Sequence, residues 1–145
     1  MRVLRSFLPA GLAVAVSFVL AACGDDSPTA PSSGVYSQTD VTVGTGAEST
    51  VGKTVKVHYT GWLWAPAKPE QKGLEFETSR TGEPLQFTVG AGQVIKGLDQ
   101  GVVGMKVGGL RRLVVPPSMA YGMSRNGPIP PNATLVFDVE LTSVK

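Results

Sequence analysis

The chain has 145 residues, of which 42% are hydrophobic, and this size suits one folded domain. Its 13 Lys+Arg against 11 Asp+Glu form no basic stripe with interleaved aromatic residues, so nucleic acid is not an expected partner. One cysteine excludes an intrachain disulfide, and one histidine without clustered ligands argues against a metal cofactor.

The first 22 residues are predicted to be a secretory signal rather than part of the fold. Arg2 and Arg5 precede an apolar stretch at residues 7–20, which is shorter than the ~20 residues of a spanning helix. Leu-Ala-Ala-Cys, ending at Cys23, resembles a bacterial lipobox, in which the cysteine is lipidated and becomes the N-terminus. The alternative is a simple cleavage site followed by an unmodified cysteine.

Residues 23–37 are expected to form a lipidated, flexible tether, because they are rich in Gly, Asp, Ser, Pro and Thr. Residues 38–145 then form the domain. Without Arg2 and Arg5 the chain carries 11 positive and 11 negative groups, so the processed protein is formally neutral. We expect a monomer in the bacterial cell envelope, anchored by lipid on Cys23 and facing the periplasm. Gly24 favours the outer membrane over the inner one.

Period-two alternation of apolar residues predicts four strands, near residues 54–59, 85–89, 110–115 and 134–144. A shorter alternation at residues 41–43 predicts a fifth. Only Val94, Leu98 and Val102 follow a helical period, which predicts a short helix over residues 96–102. Its two glycines each weaken an isolated helix by up to ~1 kcal/mol, so tertiary packing must hold it. The predicted fold class is α+β, an antiparallel sheet of about five strands around one short helix.

Three motifs occur in an order that closely resembles FKBP-type peptidyl-prolyl cis-trans isomerases. They are Val-His-Tyr-Thr-Gly at residues 57–61, Gln-Val-Ile-Lys-Gly at residues 93–97, and Met-Ala-Tyr-Gly at residues 119–122 followed by residues 129–141. The resemblance covers about residues 41–145. It implies an FKBP-like fold and an enzyme that rotates X–Pro bonds in an apolar pocket without cofactor, metal or covalent intermediate.

By this resemblance the pocket residues fall into two groups. Those assigned to the reaction are Tyr59, Ile95, Tyr121 and Phe137. Those assigned to substrate binding are Phe76, Glu77, Leu85, Phe87, Val94, Leu98 and Ile129. The Ile95 N–H would bind one substrate carbonyl and the Tyr121 hydroxyl another, while Leu98 would form the pocket floor.

Taken singly, several of these residues are more typical of an ordinary core than of a site, namely Phe87, Phe137, Leu98 and Ile95. Tyr121 differs, because a tyrosine between Ala120 and Gly122 in a Pro/Gly-rich loop has little core to fill. The chain also departs from the usual family pattern, with Glu77 in place of aspartate, Leu98 in place of tryptophan and Leu85 in place of an aromatic residue. We expect these changes to preserve activity on small X–Pro substrates and to weaken binding of the family's macrolide inhibitors.

Residues 62–74 contain two tryptophans among prolines and charged residues. One interpretation is a lip that recognises unfolded chains, and the other is a bulged loop whose tryptophans pack back on the sheet. The leading functional hypothesis is a membrane-tethered prolyl isomerase acting on unfolded or Pro-containing exported polypeptides. The alternative is a Pro-segment-binding chaperone with weak or no isomerase activity. A structural lipoprotein with a vestigial pocket is disfavoured, because the pocket residues Tyr59, Phe76, Ile95, Tyr121 and Phe137 are all present.

Overall fold

The computed structural model describes residues 35–145, which form six strands and one α-helix. In chain order the elements are β1 (Ser37–Thr42), β2 (Thr54–Trp64), β3 (Lys72–Thr78), β4 (Leu85–Thr88), α1 (Lys96–Gly101), β5 (Leu110–Val115) and β6 (Leu135–Val144). Short 3₁₀ turns lie at Pro69–Gln71 and Pro117–Met119. The predicted α+β class, the helix and the five predicted strands are confirmed.

The sheet has six strands where about five were predicted, and the additional strand is β3. Leu74 and Phe76 alternate there with Glu75 and Glu77, but the preceding run of Pro, Lys and Glu obscures this short pattern. β3 pairs with the far half of β2, with Thr78 opposite Thr60 and Lys72 opposite Trp64. A hairpin therefore spans most of residues 62–74, and both tryptophans belong to its first strand.

All pairings in the sheet are antiparallel, and the strand order is β1-β5-β6-β2-β3, with β4 also paired to β2. β6 is central, and its alternate residues Leu135, Phe137, Val139 and Leu141 are all at most 3% exposed. The helix packs on the same face, with Leu98 4% exposed and Val102 fully buried. The core therefore lies between one face of the sheet and α1.

The two glycines of α1 allow the helix to approach β5 closely. A Cβ atom on Gly97 would lie 2.4 Å from Cγ1 of Val115, and one on Gly101 would lie 2.4 Å from Cδ1 of Leu113. Both distances are shorter than any normal contact, so a larger residue would push the helix away from the sheet. The close packing of α1 on β5 is therefore the tertiary contact on which the helix was predicted to depend.

Two buried charged residues fix the helix at its two ends. The Asp99 carboxylate accepts hydrogen bonds from the backbone N–H groups of Gly90 (2.7 Å) and Gly92 (3.2 Å). The Arg111 guanidinium donates to the carbonyls of Gly101 and Val103, both at 2.9 Å, and pairs with Asp40 on β1. Because the segment before α1 and its last turn are both tied down, the residues that α1 presents to the core are held in place.

The domain includes two residues of the predicted tether, Tyr36 and Ser37. Tyr36 packs against the core and donates its hydroxyl to the carbonyl of Gly97 at 2.9 Å, and β1 begins at Ser37. The predicted signal at residues 1–22, the lipidation site Cys23 and tether residues 24–34 lie outside the described residues. Within residues 35–145, no helix is long and apolar enough to cross a membrane.

The outer face of the sheet carries a network of four charged side chains. Asp138 on β6 forms a two-point pair with Arg112, at 2.8 and 3.1 Å, and a third bond with Lys72 at 2.7 Å. Glu70 joins the same two cations. The Lys72 ammonium also lies 4.3 Å from the ring centroid of Trp62, so this tryptophan is held against the sheet rather than offered as a lip.

We expect this network to make the domain sensitive to acid. Burial alone would raise the pKa of Asp138, but the hydrogen bonds and charges of Arg112 and Lys72 outweigh burial and hold that pKa below its ordinary value of 3.8. A carboxyl whose pKa is lower in the folded state stabilises the fold above its unfolded pKa, and this stability is lost as the pH falls through the folded pKa. Asp138→Asn should therefore lower the free energy of unfolding at pH 7 by about 1–3 kcal/mol and flatten its decline below about pH 4.

Denaturant unfolding at pH 7 and at several values below 4 measures this effect. Glu140→Gln is the matched control, since Glu140 lies two residues away on β6 and forms a more exposed pair with Arg80. It should change the free energy by only about 0–1 kcal/mol. Equal losses in both variants would contradict a special role for Asp138.

Candidate active site

A cavity of about 320 Å³ opens between the core face of the sheet and α1. Every strand except β1 and β5 contributes to its wall, together with α1, the segment before α1 and the loop after β5. The lining residues are Tyr59, Glu77, Leu85, Gln93, Val94, Ile95, Leu98, Tyr121 and Phe137. The cavity is therefore built from segments far apart in sequence that only the folded sheet brings together.

Three aromatic rings pack together on the sheet side of the cavity, and two of them, Tyr59 and Phe137, line it. The Phe137 ring lies 6.2 Å from that of Tyr59, at 59°, and 5.8 Å from that of Phe76, which it meets edge-on at 88°. Gly61 is opposite Phe137 in the β2–β6 register, and a Cβ atom there would lie 2.5 Å from Cζ of Phe76 and 2.9 Å from Cε1 of Phe137. The glycine therefore leaves the space in which the rings pack.

The two tyrosine hydroxyls at the cavity stay protonated at neutral pH. Burial, followed by the neighbouring Glu77 carboxylate, raises the pKa of Tyr59 above its ordinary value. The same two causes raise the pKa of Tyr121, and a hydrogen bond with Asn126 offsets them only in part. The Tyr59 hydroxyl is directed at the Glu77 carboxylate, whereas the Tyr121 hydroxyl can donate a hydrogen bond to a carbonyl in the cavity.

The backbone at Ile95 supplies a further donor. Ile95 precedes α1 with extended geometry (φ −56°, ψ 147°), and its carbonyl accepts the N–H groups of Leu98 (3.1 Å) and Asp99 (3.0 Å). Within residues 35–145 its own N–H donates to no backbone or side-chain acceptor. Since Ile95 lines the cavity, this N–H is available to a bound carbonyl.

The loop that carries Tyr121 is closed by its own backbone hydrogen bonds. Gly122 N–H donates to the carbonyl of Pro117 at 2.8 Å, and Asn132 N–H donates to the carbonyl of Gly122 at 2.8 Å. Asn126 and Ile129 exchange two further bonds, and the Ile129 side chain is 3% exposed. These contacts hold the tyrosine at the rim although the loop has little regular structure.

Eight of the eleven predicted pocket residues lie at the cavity. The other three, Phe76, Phe87 and Ile129, do not line it. At the cavity lie Tyr59, Glu77, Leu85, Val94, Ile95, Leu98, Tyr121 and Phe137. Phe76 supports Phe137 from the side. Phe87 and Ile129, which are 2% and 3% exposed, belong to the core and do not line the cavity.

Gln93 lines the cavity and was not predicted. Its side-chain carbonyl accepts the Thr88 N–H at 2.8 Å and so joins the end of β4 to the segment before α1. Its position directly before Val94 and Ile95 was the only sequence signal for it. Among the described residues, no group of three or more His, Cys, Asp or Glu side chains could hold a metal ion.

Comparison with known proteins gives consistent matches. Residues 46–142 match the family described as FKBP-type peptidyl-prolyl cis-trans isomerase. The chain is 48% identical over 107 residues to an FK506-binding protein of Neisseria meningitidis serogroup B, covering 72% of this chain and 92% of that protein. It is 47% identical over 115 residues to an Arabidopsis thaliana protein named peptidyl-prolyl cis-trans isomerase FKBP16-4, chloroplastic, covering 73% of this chain and 46% of that protein.

Two solved structures share the fold. A crystal structure of AtFKBP13 superposes with a TM-score of 0.64 at 36% sequence identity, covering 76% of this chain and 93% of the other. FkpA from Escherichia coli superposes with a TM-score of 0.63 at 42% identity, covering 76% of this chain and 48% of the other.

Proposed function

The chain belongs to the FKBP-type peptidyl-prolyl cis-trans isomerase family, a family of rotamases, and we propose that its cavity accelerates X–Pro rotation in exported polypeptides by desolvating the bond. The observation that carries this proposal is a small cavity with an aromatic wall, two protonated hydroxyls and a free backbone N–H. No residue in it is required to break a covalent bond.

The physical difficulty of the reaction is the loss of amide resonance in the twisted transition state. The barrier is about 20 kcal/mol, and uncatalysed rotation takes tens of seconds. A planar amide has a larger charge separation than a twisted one and is better solvated by water. An apolar cavity therefore favours the twisted form, and each ~1.4 kcal/mol of this preference raises the rate about tenfold.

Some of the cavity residues would desolvate the prolyl bond, and others would orient the chain on either side of it. Phe137, Tyr59 and Leu98 exclude water from the proline ring. The Ile95 N–H and the Tyr121 hydroxyl bind carbonyls on either side of the rotating bond and hold the chain while it turns. Because Leu98 and Leu85 present less surface than aromatic residues would, we also propose that the family's macrolides bind this member less tightly.

Removing the Tyr121 hydroxyl tests the orienting role. Tyr121→Phe should lower kcat/KM about fivefold to tenfold, since one hydrogen bond contributes on the order of 1 kcal/mol. The free energy of unfolding should change little. The measurement is the cis-to-trans rate of a short X–Pro peptide.

Tyr36→Phe is the matched control, because it removes a hydroxyl that bonds the Gly97 carbonyl and does not line the cavity. This variant should lose stability and keep its kcat/KM. Full activity in Tyr121→Phe would show that the hydroxyl does not bind substrate.

Sequence features upstream of the described residues support a proposal for the cellular setting. We propose that lipid on Cys23 anchors a monomeric domain to the cell envelope outside the cytoplasm, where exported chains fold. More than one acyl chain is needed for stable anchoring. Cys23→Ser should therefore abolish incorporation of labelled fatty acid and move the protein from the membrane fraction to the soluble fraction of its host. An unlabelled wild-type protein would contradict the proposal.

A further inference from the structure

One charged side chain stands at an otherwise uncharged cavity. Of the nine residues that line it, Glu77 alone is ionic, and within residues 35–145 no Lys or Arg nitrogen lies within 4.0 Å of its carboxylate. Glu77 lies on β3, the last strand of the described sheet, opposite Gly61. Asp138 on the outer face, by contrast, is paired with two cations.

The Glu77 carboxylate affects the two tyrosine hydroxyls at the cavity. It interacts with the Tyr59 hydroxyl through a hydrogen bond, and its negative charge contributes to the raised pKa of both Tyr59 and Tyr121, so its field reaches both hydroxyls at the cavity. The side chain is exposed and is therefore free to contact a ligand. A carboxylate that has no cationic partner and lies beside an apolar surface is complementary to a cation on an aliphatic stem.

We propose that Glu77 is a specificity-determining residue that favours clients with lysine or arginine next to the proline. The aliphatic stem of such a residue lies along the rim formed by Leu85 and Val94, and its charged end pairs with Glu77. An acidic neighbour is disfavoured by the same charge. This inference rests on the proposed isomerase function and specifies which X–Pro bonds the site selects.

The test compares peptides that differ in one charge. In one set the residue before proline is lysine, norleucine or glutamate, and in a second set the residue after proline is varied in the same way. Norleucine keeps the aliphatic stem and lacks the ammonium group. The full chain in detergent is assayed for kcat/KM at low and high salt, as wild type, Glu77→Gln and Glu75→Gln.

The ratio of lysine to norleucine rates isolates the effect of charge, since it cancels any effect of the substitution on the reaction itself. In at least one set the wild-type ratio should be about three, the size expected for a partly exposed ion pair. It should fall to about one in Glu77→Gln and shrink at high salt. Glu75→Gln removes the same charge two residues away on β3, outside the cavity, and should keep the wild-type ratio.

Two results would overturn the inference. One is a ratio that is the same in wild type and Glu77→Gln in both sets. The other is an equal fall in Glu75→Gln, which would assign the preference to the overall charge of the strand. Acceleration of the norleucine peptides without any preference would reject the specificity and leave the isomerase intact, whereas no acceleration of any peptide would reject both.

Discussion

Replacing Phe137 with alanine should remove most of the isomerase activity and lower the free energy of unfolding by about 3–5 kcal/mol. Phe137 is 3% exposed, contacts the rings of Tyr59 and Phe76, and forms one wall of the cavity. Its loss would admit water where the prolyl bond must be desolvated. We expect kcat/KM to fall at least tenfold, measured on the folded fraction that denaturant unfolding defines.

Two further variants separate activity from stability. Leu141→Ala, at a fully buried position on the same strand that does not line the cavity, should cost about 2–5 kcal/mol and leave kcat/KM of the folded protein unchanged. Phe137→Leu keeps most of the core volume and removes the ring, so it should fold and still be slow. A folded Phe137→Leu with wild-type activity would show that the aromatic wall is not needed.

Gly97→Ala should destabilise the protein although alanine favours helices. Propensity alone predicts a gain of up to ~1 kcal/mol, whereas the new Cβ would lie 2.4 and 2.8 Å from the two Cγ atoms of Val115. Forcing an atom into such a contact costs typically 1–3 kcal/mol, so the clash outweighs the propensity. Because α1 carries Leu98 and follows Ile95, we expect kcat/KM to fall as well.

A double mutant tests whether contact with Val115 causes the destabilisation. Val115→Ala removes the atoms that the new Cβ would meet, so Gly97→Ala in that background should cost less than in the wild type. Denaturant unfolding of the four proteins in the cycle measures the coupling. Stabilisation by Gly97→Ala alone would contradict the close approach of α1 and β5.

Much of the fold could be predicted from local pattern, because alternation in β2, β5 and β6 reports directly which face is buried. β3 was missed because its alternation spans few residues and follows a polar run. Tyr36 was assigned to the tether because composition cannot show that one hydroxyl reaches Gly97, 61 residues away. The pair between Lys72 and Asp138 could not be predicted either, because it depends on the register of the β2–β3 hairpin.

The candidate site was less predictable than the fold, since an apolar residue on the core face can line a cavity or simply fill space. Phe87 and Phe137 have the same chemistry and similar burial, yet only Phe137 lines the cavity. Gln93 is one polar residue in a loop, and its hydrogen bond to Thr88 has no sequence signature. Tyr121 could be assigned because a tyrosine between Ala120 and Gly122 in a Pro/Gly-rich loop belongs to no strand or helix pattern.

The most direct test is the cis-to-trans rate of a short X–Pro peptide with residues 24–145, alongside Phe137→Leu. We expect clear acceleration by the wild type and its loss in the folded variant. A folded wild-type protein that gives no acceleration would contradict it. If that protein still suppressed aggregation of an unfolded polypeptide, the cavity would serve binding of Pro-containing segments instead.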